Sequence, residues 1–222
     1  MTMNIQHMIN QATPPLQPSD TVEHALGLMM EMRVRHLPVV DRTGQVVGVV
    51  SEDQLLDSDG PDALIETLLG PKPIVAAPDA HVFDVTKILV QHDLTTVPVA
   101  DKDGHYVGLL RRHDIFDQFA RMLSTQESGA ILAIEVDQRD HSLAQLVHII
   151  EQNNVKILSI ATEKPDTEYG KLRITLKLNV SDTARVRHML EHHGYHVVAA
   201  FSDEDDEDLQ FRIQEFMRYL EV

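Results

Sequence analysis

A forty-residue segment occurs twice in this chain, sixty positions apart and without a gap, and this repeat constrains the fold more than any other feature. A unit of this length buries too little apolar surface to be stable alone, so the two copies should pack against each other. The cleft between them is then the first place to expect a ligand. The first copy spans residues 18–57 and the second 78–117, with identical residues at Pro18, Val22, Pro38, Val39, Asp41, Gly44, Val47, Gly48 and Asp57 and their counterparts.

Composition excludes several classes of function. The chain has no cysteine, which excludes disulfides, thiolate catalysis and thiolate metal sites. A formal net charge of −16 argues against nonspecific binding of nucleic acid, because phosphates would be repelled. The first residues lack the basic start and apolar core of a secretory signal, and no apolar run reaches the roughly 18 residues of a membrane helix. These features predict a cytoplasmic protein.

The residue pattern of each repeat predicts a helix, a hairpin and the start of a second helix. In the first copy, five residues at helical spacing predict one buried face: Val22, Ala25, Leu26, Met29 and Met30. Two short apolar strands follow, joined by turn residues that include Asp41 and Gly44. Similarity upstream of each copy, at residues 5–9 and 65–69, predicts that each unit begins with a short helix.

Beyond a small, polar linker at 124–129 the pattern changes. Strand and helix signals alternate in the order βαββαβ over 130–201, which is the ferredoxin-like arrangement. Apolar and polar residues alternate over 171–180, as in a strand with one wet face. Residues 202–222 hold an acidic segment and a helix over 208–220 with an apolar stripe.

The repeat resembles a tandem pair of CBS domains. Both copies carry apolar-Pro-Val-apolar-Asp, a glycine turn and apolar-Gly-apolar-apolar before a polar helix start, at 37–41 with 48–50 and at 97–101 with 108–110. Residues 130–201 resemble an ACT domain in their element order and in the segment NVKILSI at 154–160. The two resemblances together divide the chain into CBS repeat 1 (1–63), CBS repeat 2 (64–123), the linker (124–129), an ACT-like domain (130–201) and the C-terminal segment (202–222). The fold class is therefore α/β (α+β), a CBS pair followed by a ferredoxin-like domain. This order is similar to acetoin-utilisation B-type regulatory proteins.

The resemblance implies that an adenine nucleotide or related adenosyl ligand binds between the repeats and regulates an attached or partner protein. Family members hold the ribose with a hydroxyl three residues after the second Gly and an acid three further on. Each copy here keeps one member: Ser51 with Gln54, and Arg111 with Asp114. The cleft of Asp114 is implied to contain Thr13, Pro14, Val34, Arg35, His36, Arg111, Arg112 and Asp114. A second, weaker cleft would contain Ser51, Gln54, Ile74, Val75, Leu94, Thr95 and Thr96.

The residues at the start of the second helix in each repeat also have purely structural interpretations. Ser51 and Gln54 match a capping box, which satisfies helix-end N–H groups. Arg111 and Arg112 lie at a helix start, where cations oppose the helix dipole and a bound phosphate would relieve this. Pairing with nearby carboxylates is the alternative. We expect Arg35, His36, Arg111 and Arg112 to converge on one cleft that suits a phosphate-bearing ligand.

Other functions are less well supported by the sequence. The histidines at 188, 192, 193 and 196 could hold a metal, but a pH-dependent surface cluster is favoured, and no metal site or required cofactor is predicted. No catalytic motif is present, so the protein is predicted not to be an enzyme. The ACT turn at 139–143 lacks the family's glycine, which argues against the usual amino-acid binding. The sequence thus predicts a homodimeric regulator that senses an adenosyl ligand; the alternative is a ligand-free interaction module.

Overall fold

The computed structural model describes residues 4–70, 72–139, 141–165 and 170–201. Contacts divide these residues into two compact units, with the boundary between Gln118 and Phe119. The mixed α/β architecture confirms the predicted fold class. The domain limits proposed above stay predictions, and the acidic segment and C-terminal helix predicted over 202–222 lie outside the described residues. No helix in the described ranges combines the length and the apolar character needed to cross a membrane.

Each repeat of the first unit forms a helix, a two-stranded antiparallel hairpin and a second helix, as predicted. A short 3-10 helix precedes each repeat, at Gln6–Met8 and Ile65–Leu68. The first repeat contains α1 (Val22–Met32), β1 (His36–Val40), β2 (Val46–Ser51) and α2 (Glu52–Leu56). The second contains α3 (Val82–Gln91), β3 (Thr96–Ala100), β4 (Tyr106–Arg111) and α4 (Arg112–Met122).

The aspartate and glycine shared by the two hairpins form the same turn twice. In the first, Asp41 Oδ1 accepts backbone N–H groups from Thr43 and Gln45 at 2.8 and 3.0 Å. Asp101 repeats this with its two equivalent neighbours. The glycines at 44 and 104 adopt φ of +87° and +84°, a region that disfavours other residues. The two turns explain why both copies keep these residue types.

The buried face of α1 differs from the prediction at two positions, 28 and 30. Val22, Ala25 and Met29 are buried as expected, and Leu28 joins them. Met30 is 78% exposed, so its predicted place in the core is wrong. One residue along a helix turns the side chain by about 100°, which carries position 30 beyond the stripe that faces the hairpin.

The two repeats are joined by reciprocal hydrogen bonds around an internal pseudo-twofold axis. Val46 donates its backbone N–H to Gly104 O at 3.0 Å, and Tyr106, sixty positions later, donates to Gly44 O at 2.9 Å. Gln45 forms a bridge with its own counterpart, His105, on the axis. A small apolar cluster packs beneath this junction, formed by Val40, Val46, Ala100 and Tyr106. The repeats therefore pack against each other as equivalents, as the sequence repeat predicted.

The second unit has the predicted βαββαβ order. Its four strands form an antiparallel sheet in the order β6-β7-β5-β8, and two helices cover one face. Along β7, Ile174, Leu176 and Leu178 are buried while the intervening side chains are more exposed, as the alternation predicted. The elements are β5 (Ile131–Asp137), α5 (Leu143–Glu151), β6 (Ile157–Glu163), β7 (Lys171–Leu178), α6 (Ala184–His192) and β8 (His196–Phe201).

Gly108 gives a test of the first unit. Asn10 exchanges two backbone hydrogen bonds with Leu109 at 2.8 and 2.9 Å, and a Cβ on Gly108 would lie 2.7 Å from Asn10 O. We expect Gly108→Ala to lower the free energy of unfolding by roughly 2 kcal/mol or more, measured by urea denaturation. Gly27→Ala is the control: nothing lies within 4 Å of its added Cβ, and the exposed helical site should gain up to about 1 kcal/mol. Equal effects of the two substitutions would contradict this account.

Candidate functional site

The helix start of each repeat is bonded to the segment that precedes its first strand. Glu52, the first residue of α2, donates its N–H to Arg35 O at 2.8 Å. Arg112, the first residue of α4, donates to Thr95 O at the same distance. These junctions place the starts of α2 and α4 beside residues 34–36 and 94–96, where the resemblance implied the two clefts.

Side chains then link the two strand starts across the pseudo-twofold axis. Thr95 Oγ1 accepts the Arg35 N–H at 3.1 Å, and Thr96 Oγ1 donates to His36 O at 2.8 Å. The Thr95 N–H donates to His36 Nδ1 at 3.2 Å. The sequence assigned His36 and Thr95 to different clefts, whereas the structure places them in direct contact. Both clefts therefore share one hydrogen-bonded centre.

A cavity of about 390 Å³ opens beside this centre, and we refer to it as the basic cleft. It brings together Val34, Arg111 and Arg112 of the predicted set. Arg33, which ends α1 in a left-handed conformation, adds a third arginine to the lining. The lining consists of Arg33, Val34, Thr95, Arg111, Arg112, His113 and Phe116.

Five of the residues predicted for this cleft do not line it: Thr13, Pro14, Arg35, His36 and Asp114. The Thr13 hydroxyl is buried and bonds Asn10 Oδ1 at 3.3 Å, while Pro14 is exposed.

Contrary to the expectation from the sequence, Arg35 does not line the basic cleft with Arg111 and Arg112. Its Nε and Nη2 bind Glu52 Oε2 and Asp53 Oδ1 at 2.8 and 2.9 Å. The reason is local: the Glu52 N–H already holds the Arg35 carbonyl, so the carboxylates of α2 are the nearest partners.

Carboxylates also hold the arginines of the basic cleft. Arg112 donates Nε to Leu94 O at 2.9 Å and Nη2 to Asp93 Oδ1 at 3.0 Å. This hydrogen bond and the charge of Arg112 lower the pKa of Asp93. Arg111 Nε binds Asp114 Oδ2 at 3.1 Å, and His113 Nε2 lies 3.1 Å from the other oxygen of Asp114. Arg111 and Arg112 are therefore both paired with carboxylates, as the structural alternative in the sequence analysis proposed.

The second predicted cleft contains a capping box at its helix start. Ser51 Oγ accepts the Gln54 N–H at 3.1 Å, and Gln54 Oε1 accepts the Ser51 N–H at 2.9 Å, which confirms the structural interpretation. Leu94 and Thr96 are buried, Thr95 and Ile74 are half-buried, and Val75 is exposed. Of the seven residues predicted for this cleft, Thr95 lines the basic cleft instead.

The two cleft positions carry opposite charge. A shift of sixty residues relates each lining residue of the basic cleft to a counterpart around the second helix start. Arg112 corresponds to Glu52, Arg33 to Asp93, and His113 to Asp53. Arg35 is the one basic residue among these counterparts, and it is already paired with Glu52 and Asp53. We call these sequence counterparts, which the structure does not assign to a cavity among the described residues, the acidic cleft position; they are Arg35, Ser51, Glu52, Asp53, Leu56, Asp93 and Leu94.

Comparison with known proteins identifies the family of the two repeats. The CBS domain family model matches residues 8–59 and 65–121, so each match covers one repeat. Residues 8–121 hold a tandem pair of CBS domains. A solved CBS domain pair/ACT domain protein from Thermotoga maritima has a similar fold, with a TM-score of 0.50 and 23% identity, covering 55% of this chain and 99% of that one.

Two curated relatives illustrate where such CBS pairs occur. The chloroplastic CBS domain-containing protein CBSX2 of Arabidopsis thaliana is 27% identical over 132 residues, 45% of this chain and 56% of its own length. A crystal structure of CBSX2 in complex with AMP has a TM-score of 0.48 to this chain, at 27% identity and with 53% and 96% of the two chains covered.

The second relative is inosine-5'-monophosphate dehydrogenase of Korarchaeum cryptofilum, 25% identical over 142 residues, 61% of this chain. The chain spans only 29% of this enzyme and 56% of CBSX2.

Sequence reasoning missed three residues of the basic cleft of the CBS pair: Arg33, His113 and Phe116. Phe116 follows Arg112 by four residues, so helical spacing alone places it on the same face of α4. Arg33 carried no such signal, because its place depends on where α1 ends.

Histidines of the second unit line a separate polar cavity of about 340 Å³. Its lining includes His141 and Ser142, which precede α5, together with His193 and His196. The His193 Nδ1 lies 2.9 Å from Met189 O, one turn back on α6. Across the described residues, three ligand atoms suited to a metal meet only at Asp101, Asp103 and His105. There the Asp101 carboxylate closes the hairpin turn, so this group has a structural role.

We expect His36 to make the stability of the CBS pair depend on pH. Burial lowers its pKa, and the charges of Arg35 and Arg112 lower it further, against opposing effects of Asp93 and Asp53. Below the unfolded pKa of about 6.5 the unfolded chain therefore binds more protons than the folded one, and stability falls as pH falls. Protonation would also place a proton on Nδ1, which accepts the Thr95 N–H.

We expect His36→Gln to flatten this part of the pH dependence between about pH 7.5 and about pH 5, measured by urea denaturation. His24→Gln, at an exposed site on α1, is the control and should leave the wild-type slope unchanged. A slope in His36→Gln equal to that of the wild type would exclude His36 as its source.

Proposed function

We propose that this protein is a non-enzymatic regulator that binds an adenosine-type ligand with an anionic group in the basic cleft of its CBS pair. The observation that carries the proposal is the convergence of Arg33, Arg111 and Arg112 on one cavity in a chain of net charge −16. In so acidic a protein, a concentration of guanidinium groups attracts a small anion. The acidic cleft position would repel the same group.

The chemistry of the lining suits the two ends of such a ligand. A phosphate at the start of α4 would meet the positive end of the helix dipole and the side chain of Arg112, exchanging the Asp93 carboxylate for its own oxygens. Phe116 and Val34 offer an apolar surface on which a base can stack. The cavity volume of about 390 Å³ falls within the roughly 300–1,000 Å³ typical of small-molecule sites.

The adenosyl part of the proposal rests on the CBS pair itself. CBSX2, a relative by sequence, is one protein of this kind recorded with AMP. The resemblance assigns the ribose to Asp114, whose carboxylate would have to exchange Arg111 and His113 for sugar hydroxyls. No bound cofactor is required for this function.

Ligand binding would act on the contact between the repeats. The basic cleft takes Arg33 and Val34 from the first repeat and Arg111 and Arg112 from the second, so a bound ligand would hold the two together. A regulated partner protein, a homodimer and a cytoplasmic location complete the proposal. The ACT-like assignment of the second unit and the similarity to acetoin-utilisation proteins remain predictions.

A ligand-free interaction module is the second candidate function. The ion pairs Arg112–Asp93 and Arg111–Asp114 favour it, because they satisfy the arginines without a ligand. Both pairs involve partly exposed side chains, and such pairs contribute about 0–1 kcal/mol each, so a phosphate can replace them at little cost.

Thermal shift measurements separate the two functions. We expect AMP, ATP or S-adenosylmethionine to raise the melting temperature, and adenosine to raise it less, because adenosine lacks the anionic group. Arg112→Ala and Phe116→Ala should each reduce the shift, and Asp114→Ala should reduce it through the ribose. Arg42→Ala, in the exposed hairpin turn, is the control and should keep it. No shift with any of these compounds at millimolar concentration would favour the interaction module.

Asp93→Asn tests the competition directly. The amide keeps the shape of the side chain but removes the charge that holds Arg112, so the affinity for AMP should rise several-fold by isothermal titration calorimetry. Glu66→Gln is the control, because it removes the same negative charge at an exposed site in the second 3-10 helix. A loss of affinity in Asp93→Asn would show that the aspartate serves the ligand rather than competing with it.

A further inference from the structure

The polar cavity of the second unit has three histidines in its lining, His141, His193 and His196, and we call it the histidine cavity. His141 precedes α5, whereas the other two lie on either side of the turn from α6 to β8. Spacing along the chain groups His193 and His196 with residues 188 and 192, which do not line the cavity. Only the fold adds His141, because β5 and β8 are antiparallel neighbours and the end of β5 therefore lies beside the start of β8.

Backbone carbonyl groups orient two of these imidazoles. His141 Nδ1 lies 3.2 Å from Asp137 O, and His193 Nδ1 lies 2.9 Å from Met189 O. A carbonyl oxygen only accepts hydrogen bonds, so each Nδ1 carries a proton and each neutral ring keeps its lone pair on Nε2. Histidines that bind metals commonly donate their other ring N–H to a carbonyl or carboxylate in this way. Both rings are therefore in a tautomer that can bind a metal ion through Nε2.

Two carboxylates of β5 line the same cavity, and one of them is available as a further ligand. Glu135, the register partner of His196, is held by Arg173 at 2.8 Å and its side chain is only 17% exposed. The Asp137 side chain is 63% exposed, and its Oδ1 lies 3.2 Å from Lys171 Nζ. An exposed ion pair of this kind contributes little stability, so a divalent cation can take the place of the lysine.

The available ligand atoms select the kind of ion. Imidazole nitrogens suit Zn²⁺, Ni²⁺ and Cu²⁺, whereas Mg²⁺ and Ca²⁺ prefer oxygen ligands. Three imidazoles with one carboxylate or water provide the four ligands that Zn²⁺ usually takes in proteins. The net charge of −16 also favours the approach of a cation.

We propose that the histidine cavity binds a divalent transition-metal ion, Zn²⁺ in particular. Its ligands are Nε2 of His141 and of His193, the imidazole of His196 and the carboxylate of Asp137. Among the described residues, no three ligand atoms of this group lie within 4.8 Å of one another, so binding draws the side chains together. His196 and Asp137 are exposed and can turn without disturbing the core. The inference does not depend on the proposed adenosyl ligand, because no residue of the basic cleft takes part in it.

Isothermal titration calorimetry with Zn²⁺ tests the site on the full chain without an affinity tag, after treatment with a chelator. We expect one Zn²⁺ per chain, and His141→Ala and His193→Ala should each weaken binding about tenfold or more, because each removes a ligand. Lys171→Gln should strengthen it several-fold, since it removes the cation that competes for Asp137. His188→Ala, at an exposed site on α6 outside the cavity, is the control and should bind Zn²⁺ as the wild type does.

The visible absorption of bound Co²⁺ provides a second measurement, because it reports the geometry of the metal site. We expect the spectrum of a four-coordinate site in the wild type and in His188→Ala, and its loss in His141→Ala, with circular dichroism to verify that each variant is folded. Zinc binding that survives both His141→Ala and His193→Ala, or that is lost in His105→Ala instead, would overturn the proposal. So would the absence of Zn²⁺ uptake by the wild-type chain. Thermal shifts with AMP in metal-free buffer report on the basic cleft separately.

Discussion

The reciprocal hydrogen bonds of Val46 to Gly104 and of Tyr106 to Gly44 are the interaction on which the first unit depends. They join the two hairpin turns across the pseudo-twofold axis and fix each repeat as the neighbour of the other. The strand starts at residues 35–36 and 95–96 are then held side by side by their own hydrogen bonds. Every candidate ligand contact described above follows from this junction, because it decides which helix start faces which strand start.

Equivalent backbone positions carry different chemistry, and this difference carries the proposed function. The Glu52 and Arg112 N–H groups make the same hydrogen bond at 2.8 Å, yet their side chains have opposite charge. A symmetric scaffold with asymmetric charge provides one site for an anion rather than two. Ligand recognition would therefore originate in the divergence of the two repeats.

The sequence predicted the architecture well because periodic and turn-forming residues act locally. The Asp41 turn, the Ser51–Gln54 capping box and the βαββαβ order all depend on neighbours along the chain. The cleft was predicted only in part, because its lining depends on where elements end and which partner is nearest. Arg35 lies close to α2 carboxylates and binds them, and Arg33 enters the cleft because α1 ends beside it. The distance between two side chains in the folded protein cannot be read from their spacing along the sequence.

A crystal structure of the protein grown with AMP tests the central claim most directly. The account predicts one AMP per chain, with the phosphate beside Arg112 at the start of α4 and the base against Phe116. It also predicts that the Asp93 carboxylate no longer contacts Arg112 in that complex. AMP bound instead beside Glu52 and Asp53, or the absence of AMP from the CBS pair at millimolar concentration, would contradict it.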